Sequence, residues 1–258
     1  MVDIHSHILW EIDDGAKTQE MALKMLKQAV SGGTKSIVAT PHFIRGHYEI
    51  EISELEKKVD DLKVLAEKNR IDIGIYFGQE VCYTEKILEY YECGFIKTIN
   101  HSRYMLIEFR KRDFSIEEIL DNLYELQIRG IVPVIAHPER YLNFIKKPEL
   151  INKFIQAGYL FQLNAGSLIG YFNKDVKNTA IKFLKNDIYS FIGSDAHRDE
   201  NRTANMQEAL KTLEQLKKGY GRFLETNGEK LLNNEEISFQ GRRLKTKKKG
   251  LFSVFSRR

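Results

Sequence analysis

The feature that most constrains this chain is a regular alternation of short apolar runs with amphipathic stretches. Segments 36–40, 71–78, 104–109, 131–136, 159–163 and 189–193 are rich in β-branched, aliphatic and aromatic residues and read as buried strands, as does 2–8 at the start. Helical patterns fall between them, over about 18–31, from 53 onward, near 85–91, and over about 115–130, 148–157, 176–185 and 203–218. Ser53 with Glu56, and Ser115 with Glu118, form capping boxes that mark two of the helix starts. Gly32-Gly33, Gly130 and Gly158 stop three helices. About seven strands, each followed by a helix or loop, imply a parallel sheet with helices outside it. That many units in one domain favour a distorted (β/α)7, TIM-like barrel, with a doubly wound open sheet as the alternative. The 258 residues suffice for one such core.

Charge separates the chain into two parts. Residues 242–258 hold eight Lys and Arg and no acid; taking those eight from the net charge of +4 leaves the rest at −4. The expected organisation is a domain over 1–240 and a basic tail over 241–258 that is flexible or touches an anionic membrane surface. A mildly acidic body argues against nucleic-acid binding, which needs clustered cations. Cys82 and Cys93 are too few for a disulfide framework, and no secretory signal or membrane-span pattern is visible, so the expected location is cytoplasmic, with peripheral membrane contact through the tail.

The polar residues at the strand ends carry the chemistry. His5 and His7 lie two apart on the first strand and so share a face, with Asp14 in the loop after it. His42 follows the second strand, Glu80 ends the third, Glu108 lies on the fourth and His137 ends the fifth, while Asp195 and His197 follow the last. In an α/β barrel these ends converge on one mouth. Five imidazoles and four carboxylates exceed the needs of one ion, and bridging carboxylates can hold two or three. Mixed nitrogen and oxygen donors without thiolate suit manganese, iron or zinc. Arg140, three residues past His137, is placed to grip a phosphate, with Arg202 and Arg45 as further candidates. Asp13 reads as structural, His47 and His101 as solvated, and Glu139 as a surface group or a support for the ligands. No arginine stands six residues beyond either cysteine, which excludes a cysteine-dependent phosphatase. No Walker loop or nucleophile elbow is present, so hydrolysis would run through metal-bound hydroxide.

The ordered motifs Asp-Ile-His-Ser-His-Ile, Asp-Asp-Gly, Ala-Thr-Pro-His, Gly-Gln-Glu, Leu-Ile-Glu-Phe, Ala-His-Pro-Glu-Arg and Gly-Ser-Asp-Ala-His resemble the polymerase-and-histidinol-phosphatase (PHP) superfamily. Within it they look like bacterial manganese-dependent tyrosine-protein phosphatases of capsule and exopolysaccharide operons. The resemblance covers roughly residues 1–235 and implies the PHP barrel with a trinuclear metal centre. It implies His5, His7, Asp14, His42, Glu80, Glu108, His137, Asp195 and His197 as ligands of two or three Mn2+ ions, with Fe or Zn as substitutes. Arg140 would contact substrate phosphate; Asp195 and His197 are further catalytic candidates, and the sequence leaves open which Asp or His of the cluster would protonate the leaving group. The implied substrate is phosphotyrosine of a cognate tyrosine kinase, in the control of polymer synthesis. Two other readings stand beside it: a small-molecule phosphatase of the histidinol-phosphatase kind, and a non-catalytic, metal-stabilised module that binds a kinase.

Overall fold

The computed structural model describes residues 1–109 and 115–245, so most of the basic tail, residues 246–258, lies outside the described residues. The strands are β1 (Val2–Ser6), β2 (Ser36–Ala39), β3 (His42–Phe43), β4 (Gly74–Phe77), β5 (Glu80–Cys82), β6 (Tyr104–Glu108), β7 (Val132–Ala136), β8 (Leu160–Asn164) and β9 (Phe191–Gly193). All named pairings are parallel, in the orders β1-β2-β4 and β3-β5-β6-β7-β8-β9. The break between the two groups has a local cause. Pro41 has no N–H for a ladder and interrupts the path from β2 to β3. One path over, Gly78 interrupts β4 to β5, where a Cβ would sit 2.8 Å from Val38 Cγ1. Beyond these breaks, His42 and Glu80 pair as the first residues of the second group.

The sheet is curled, and its ends approach each other. The Asp195 N–H donates to the His5 carbonyl (2.7 Å), and the His7 N–H donates to the Ala196 carbonyl (2.8 Å). Strand periodicity divides the core. Ile4, Val38, Leu106, Val134, Leu160 and Phe191 meet in one inner cluster. Their neighbours Ile107, Ile135, Phe161 and Ile192 face the opposite way, into the layer under the helices. Continuing the inner parity upward, Leu106 leads to Glu108, and Leu160 leads to Gln162 and Asn164. The curled sheet therefore aims polar groups at one end.

The helices are α1 (Gln19–Ser31), α2 (Ile52–Lys68), α3 (Ile87–Glu92), α4 (Ile116–Ile128), α5 (Leu142–Lys146), α6 (Ile151–Gln156), α7 (Ala165–Ile169), α8 (Lys174–Lys185), α9 (Gln207–Leu216) and α10 (Tyr220–Leu232). The Ser115 hydroxyl caps α4 by accepting from the Glu118 N–H at 3.3 Å. The other expected capping box is not formed: α2 begins at Ile52, so Ser53 lies inside it, and Glu51 holds the cap position without a side-chain bond. The expected 203–218 helix is the shorter α9, and α10 follows it unforeseen. The buried face of α10 includes Gly221, Asn227 and Gly228, which hides its apolar stripe from a hydropathy reading. Gly228 lets the helix approach β1, where a Cβ would stand 2.6 Å from Val2 Cβ. Leu231 of α10 joins the inner cluster with Ile4 and Phe191.

Candidate metal centre

All nine candidate ligands named above, from His5 to His197, are brought together at one place. His5 is on β1 and His7 one residue past it; His42 opens β3, Glu80 opens β5 and Glu108 closes β6. His137 immediately follows β7, and Asp195 and His197 follow β9. Asp14 enters from the loop between β1 and α1. Three groupings have donor atoms within 4.8 Å of one another: His7, Asp14, His42 and His197; His5, His7 and Glu80; and His42, Glu80 and Glu108. Because they share His7, His42 and Glu80, they form one continuous cluster. His137 joins through Glu80, with Nε2 2.9 Å from Oε1. Asp195 joins through Oδ1, which lies 3.6 Å from His5 Nε2 and 3.5 Å from His7 Nε2.

The imidazoles are oriented from behind. Gln162 Oε1 accepts from the His137 N–H (3.1 Å) and stands 3.1 Å from His5 Nδ1, which makes Nδ1 of His5 the donor. Asp13 Oδ2 holds His7 Nδ1 at 2.6 Å, and the Asp195 carbonyl holds His197 Nδ1 at 2.9 Å. Anchoring each Nδ1–H turns Nε2 of all three rings toward the cluster. There, His5 Nε2 and His7 Nε2 stand 3.2 Å apart, each 3.3 Å from Glu80 Oε2. His42 Nδ1 lies 2.9 Å from the same Glu80 oxygen yet makes no hydrogen bond, and Asp14 Oδ1 is likewise buried without one. Acceptor atoms crowded this closely need positive charge between them. The donor set, nitrogen and carboxylate oxygen with no thiolate, fits divalent transition ions of the manganese, iron and zinc kind.

The titration shifts point the same way. Burial opposes charge on His5, but Glu80 and Asp195 outweigh it and raise its pKa. Burial also opposes charge on His7, where Asp13 outweighs it and holds the ring well above its ordinary value. Burial works against ionised Asp195, yet His5, His7, Arg140 and Arg202 keep it well below the carboxylate range. Glu80 is held down similarly by His5 and His42. His137 is lowered to about 4 by burial and then by Arg140, and His197 to about 4 by burial and then by His7. Those two rings are thus neutral at pH 7, the form in which imidazole ligates.

The cluster floors a cleft of about 650 Å³. Arg140 and Arg202 line it, and both grip Asp195: Nη1 of Arg140 is 2.5 Å from Oδ2, and Nη2 of Arg202 is 2.6 Å from Oδ1. Arg140 also lies over the Phe172 ring at 4.5 Å. His137, Asp195 and Arg202 all have positive φ, at 31°, 51° and 53°. Such left-handed backbone is uncommon outside glycine and tends to gather at functional sites. A slightly larger groove, about 720 Å³, runs between α2 and β4, but the metal-competent groupings all lie away from it.

Other expectations fare differently. Arg45 is not brought to the cleft lining; it pairs with Glu49 (3.2 Å) and lies over the Phe95 ring at 4.2 Å. Glu139 is not a surface group but fully buried, accepting from the Asn164 N–H and the Tyr189 hydroxyl, each at 3.0 Å. Burial accordingly raises its pKa. His101 is exposed, as expected, although it pairs with Glu56 at 3.3 Å. Sequence reading placed the β8 strand but missed the two amide side chains on it. Gln162 orients His5 and His137, and Asn164 Nδ2 donates to Asp195 Oδ2 at 2.7 Å. The signal was present in Phe-Gln-Leu-Asn: two amides at alternate positions of an otherwise apolar strand must find buried partners.

A family model described as capsular polysaccharide synthesis, CpsB/CapC, matches residues 1–233. CapC of Staphylococcus aureus is 38% identical over 244 residues, covering 93% of this chain and 94% of its own. The tyrosine-protein phosphatase YwqE of Bacillus subtilis is 33% identical over 259 residues, covering 99% of this chain and 100% of its own. A solved structure from work on YwqE and on CpsB of Streptococcus pneumoniae, described as metal-dependent tyrosine phosphatases, matches with a TM-score of 0.89 at 33% identity over 95% of this chain and 100% of that one. A histidinol phosphate phosphatase from Lactococcus lactis shares the fold, with a TM-score of 0.53 at 13% identity over 84% and 93% of the two chains.

Proposed function

The chain belongs to the CpsB/CapC family of capsular polysaccharide synthesis proteins, and we propose that it is a metal-dependent tyrosine-protein phosphatase within it. The single observation that carries this reading is the meeting of His5 Nε2, His7 Nε2 and Glu80 Oε2 within 3.3 Å of one another, with both Nδ1 atoms anchored elsewhere. The nine residues from His5 to His197 would hold two or three Mn2+ ions, with Fe or Zn able to take their place. Bound there, the ions supply an activated water and neutralise charge on a phosphate.

The remaining roles belong to the chain itself. Four carboxylates and two guanidiniums line the cleft, so a phosphate dianion would meet negative charge there as well as donors, and bound cations would offset it. Arg140 and Arg202 keep N–H donors beyond those given to Asp195, and these would take the nonbridging oxygens. Asp195 is held ionised and His197 is lowered to about 4, so both can offer lone pairs to a cation. Their proposed part is cation binding, and the leaving phenolate, with a conjugate-acid pKa of about 10, takes its proton from water. A poor leaving group such as an alkoxide would fare much worse, which favours aryl over alkyl esters.

The curled sheet reads as a distorted seven-strand barrel, with β2–β3 and β4–β5 each one interrupted path and β9 meeting β1 through the Asp195 and His7 amides. The physiological substrate would be phosphotyrosine on a bacterial tyrosine kinase of the capsule or exopolysaccharide system, in the cytoplasm at the membrane surface. Support comes from the family description, the relatives' names and two free cysteines. The test compares a phosphotyrosine peptide with histidinol phosphate on manganese-loaded protein. Preference for the peptide supports the reading, and preference for histidinol phosphate refutes it.

A further inference from the structure

We propose that a cavity beside Arg202 is a subsite for an apolar side chain flanking the phosphotyrosine of a peptide substrate, an inference that rests on the phosphatase reading above. Helix α7 ends at Gly170, whose φ of 84° makes a left-handed stop. The chain then turns and displays Tyr171 and Phe172, with their rings edge to face at 5.3 Å. One of these aromatics faces Arg140. The other, Tyr171, is 49% exposed, a large apolar area to leave in water without a partner.

Tyr171 and Phe172, with Ile169, Met206 and Ala209, form the apolar side of a cavity of about 150 Å³, whose other side is polar and includes Arg202 and Thr203. A cavity of about this size has room for a benzene-sized group, which would rest on the apolar side. Arg202 lines both this cavity and the metal-centre cleft, and its Nη2 is 2.6 Å from Asp195. The subsite is therefore one arginine side chain away from the reacting phosphate. An extended peptide advances about 3.3–3.6 Å per residue, so a neighbour one or two positions from the phosphotyrosine reaches the cavity mouth. The apolar side favours leucine, isoleucine or methionine over a residue with no side chain to bury.

The experiment uses the full-length, manganese-loaded protein and phosphotyrosine peptides carrying leucine or glycine at each of the two positions on either side. At one position, kcat/KM for leucine exceeds that for glycine about tenfold. Tyr171→Ser, at a half-exposed site, brings the leucine-to-glycine ratio toward one. Ala209→Met, which fills the cavity from α9, does the same by a different route. A wild-type ratio within about twofold of one at all four positions overturns the subsite, as does a ratio that survives both substitutions. p-Nitrophenyl phosphate separates the two levels: its turnover alongside an indifferent peptide ratio sinks only the subsite, whereas its failure to turn over sinks the phosphatase reading and the subsite with it.

Discussion

Asp13 gives the sharpest single perturbation, because it touches no cation in the scheme proposed here and yet should control cation affinity. Its Oδ2 accepts from His7 Nδ1 at 2.6 Å and from the His42 N–H at 2.9 Å, and its Oδ1 accepts from the Gly15 N–H at 2.7 Å. Three donors converge on one buried carboxylate, which is held at a pKa of about 2 because His7 and these bonds outweigh its burial. In Asp13→Asn, one of the two oxygens becomes an NH2 that must face a donor. The better arrangement keeps the carbonyl on His7 and His42 and orphans the Gly15 N–H, at about 1–3 kcal/mol. The bond to His7 also loses its charge assistance and loosens the ring. Weakening of a ligand's support typically lowers metal affinity about 10–100-fold, or about 1.4–2.8 kcal/mol. A second effect opposes the first: without the carboxylate, His7 holds its competing proton less tightly. The loss of affinity should thus be larger at pH 8.5 than at pH 6.5, where proton competition handicaps the wild type more. The assay is Mn2+ titration of chelator-stripped protein, followed through Trp10, the one tryptophan of the chain, which sits buried in the same β1–α1 loop. Wild-type affinity within twofold at pH 8.5 would refute the reasoning.

Arg140→Ala should lower kcat/KM for phosphotyrosine about 10²–10³-fold while elemental analysis finds the metal content unchanged; loss of the ions would mean that Arg140 supports the cluster instead. His137 and His197, both near 4, have folded pKa values below the ordinary 6.5, so their contribution is complete above 6.5 and is lost as pH falls from 6.5 toward 4. Between pH 6.5 and 5 that amounts to about 2 kcal/mol each, with Asp3, raised to about 6 by burial, returning about 1 kcal/mol as it takes up a proton in the folded state. Urea unfolding of stripped protein at the two pH values checks this, and equal stability contradicts it. Gly228→Ala should destabilise by about 1–3 kcal/mol despite alanine's better helix propensity, because its Cβ meets Val2; a raised melting temperature would show that α10 does not press on β1.

The clustering of the nine candidate ligands was legible because histidines and carboxylates at successive strand ends are expensive to place anywhere but in a shared site. Their convergence follows from strand parity alone, as Glu108 above Leu106 illustrates. Residues that act through those ligands were harder to read. Glu139 sits beside Arg140 in sequence, where exposure is the ordinary expectation, but the turn after His137 tucks it against Asn164 and Tyr189 from distant segments. Arg45 lies near His42 in the chain, and only the fold brings up Phe95 to take its guanidinium. Helix α10 escaped because its contact face uses glycine and asparagine, whose fitness depends on how closely β1 and β9 approach. Asn227, for instance, is on that face to donate to the Ser190 carbonyl at 3.1 Å.

The central claim is that one cluster of nine side chains holds more than one cation and that phosphotyrosine hydrolysis depends on them. Elemental analysis of the manganese-reconstituted protein, paired with phosphotyrosine-peptide turnover before and after chelation, tests it most directly. Two or three ions per chain are expected, with turnover lost on stripping and restored on reloading. A single ion, or full turnover by the stripped protein, would contradict it.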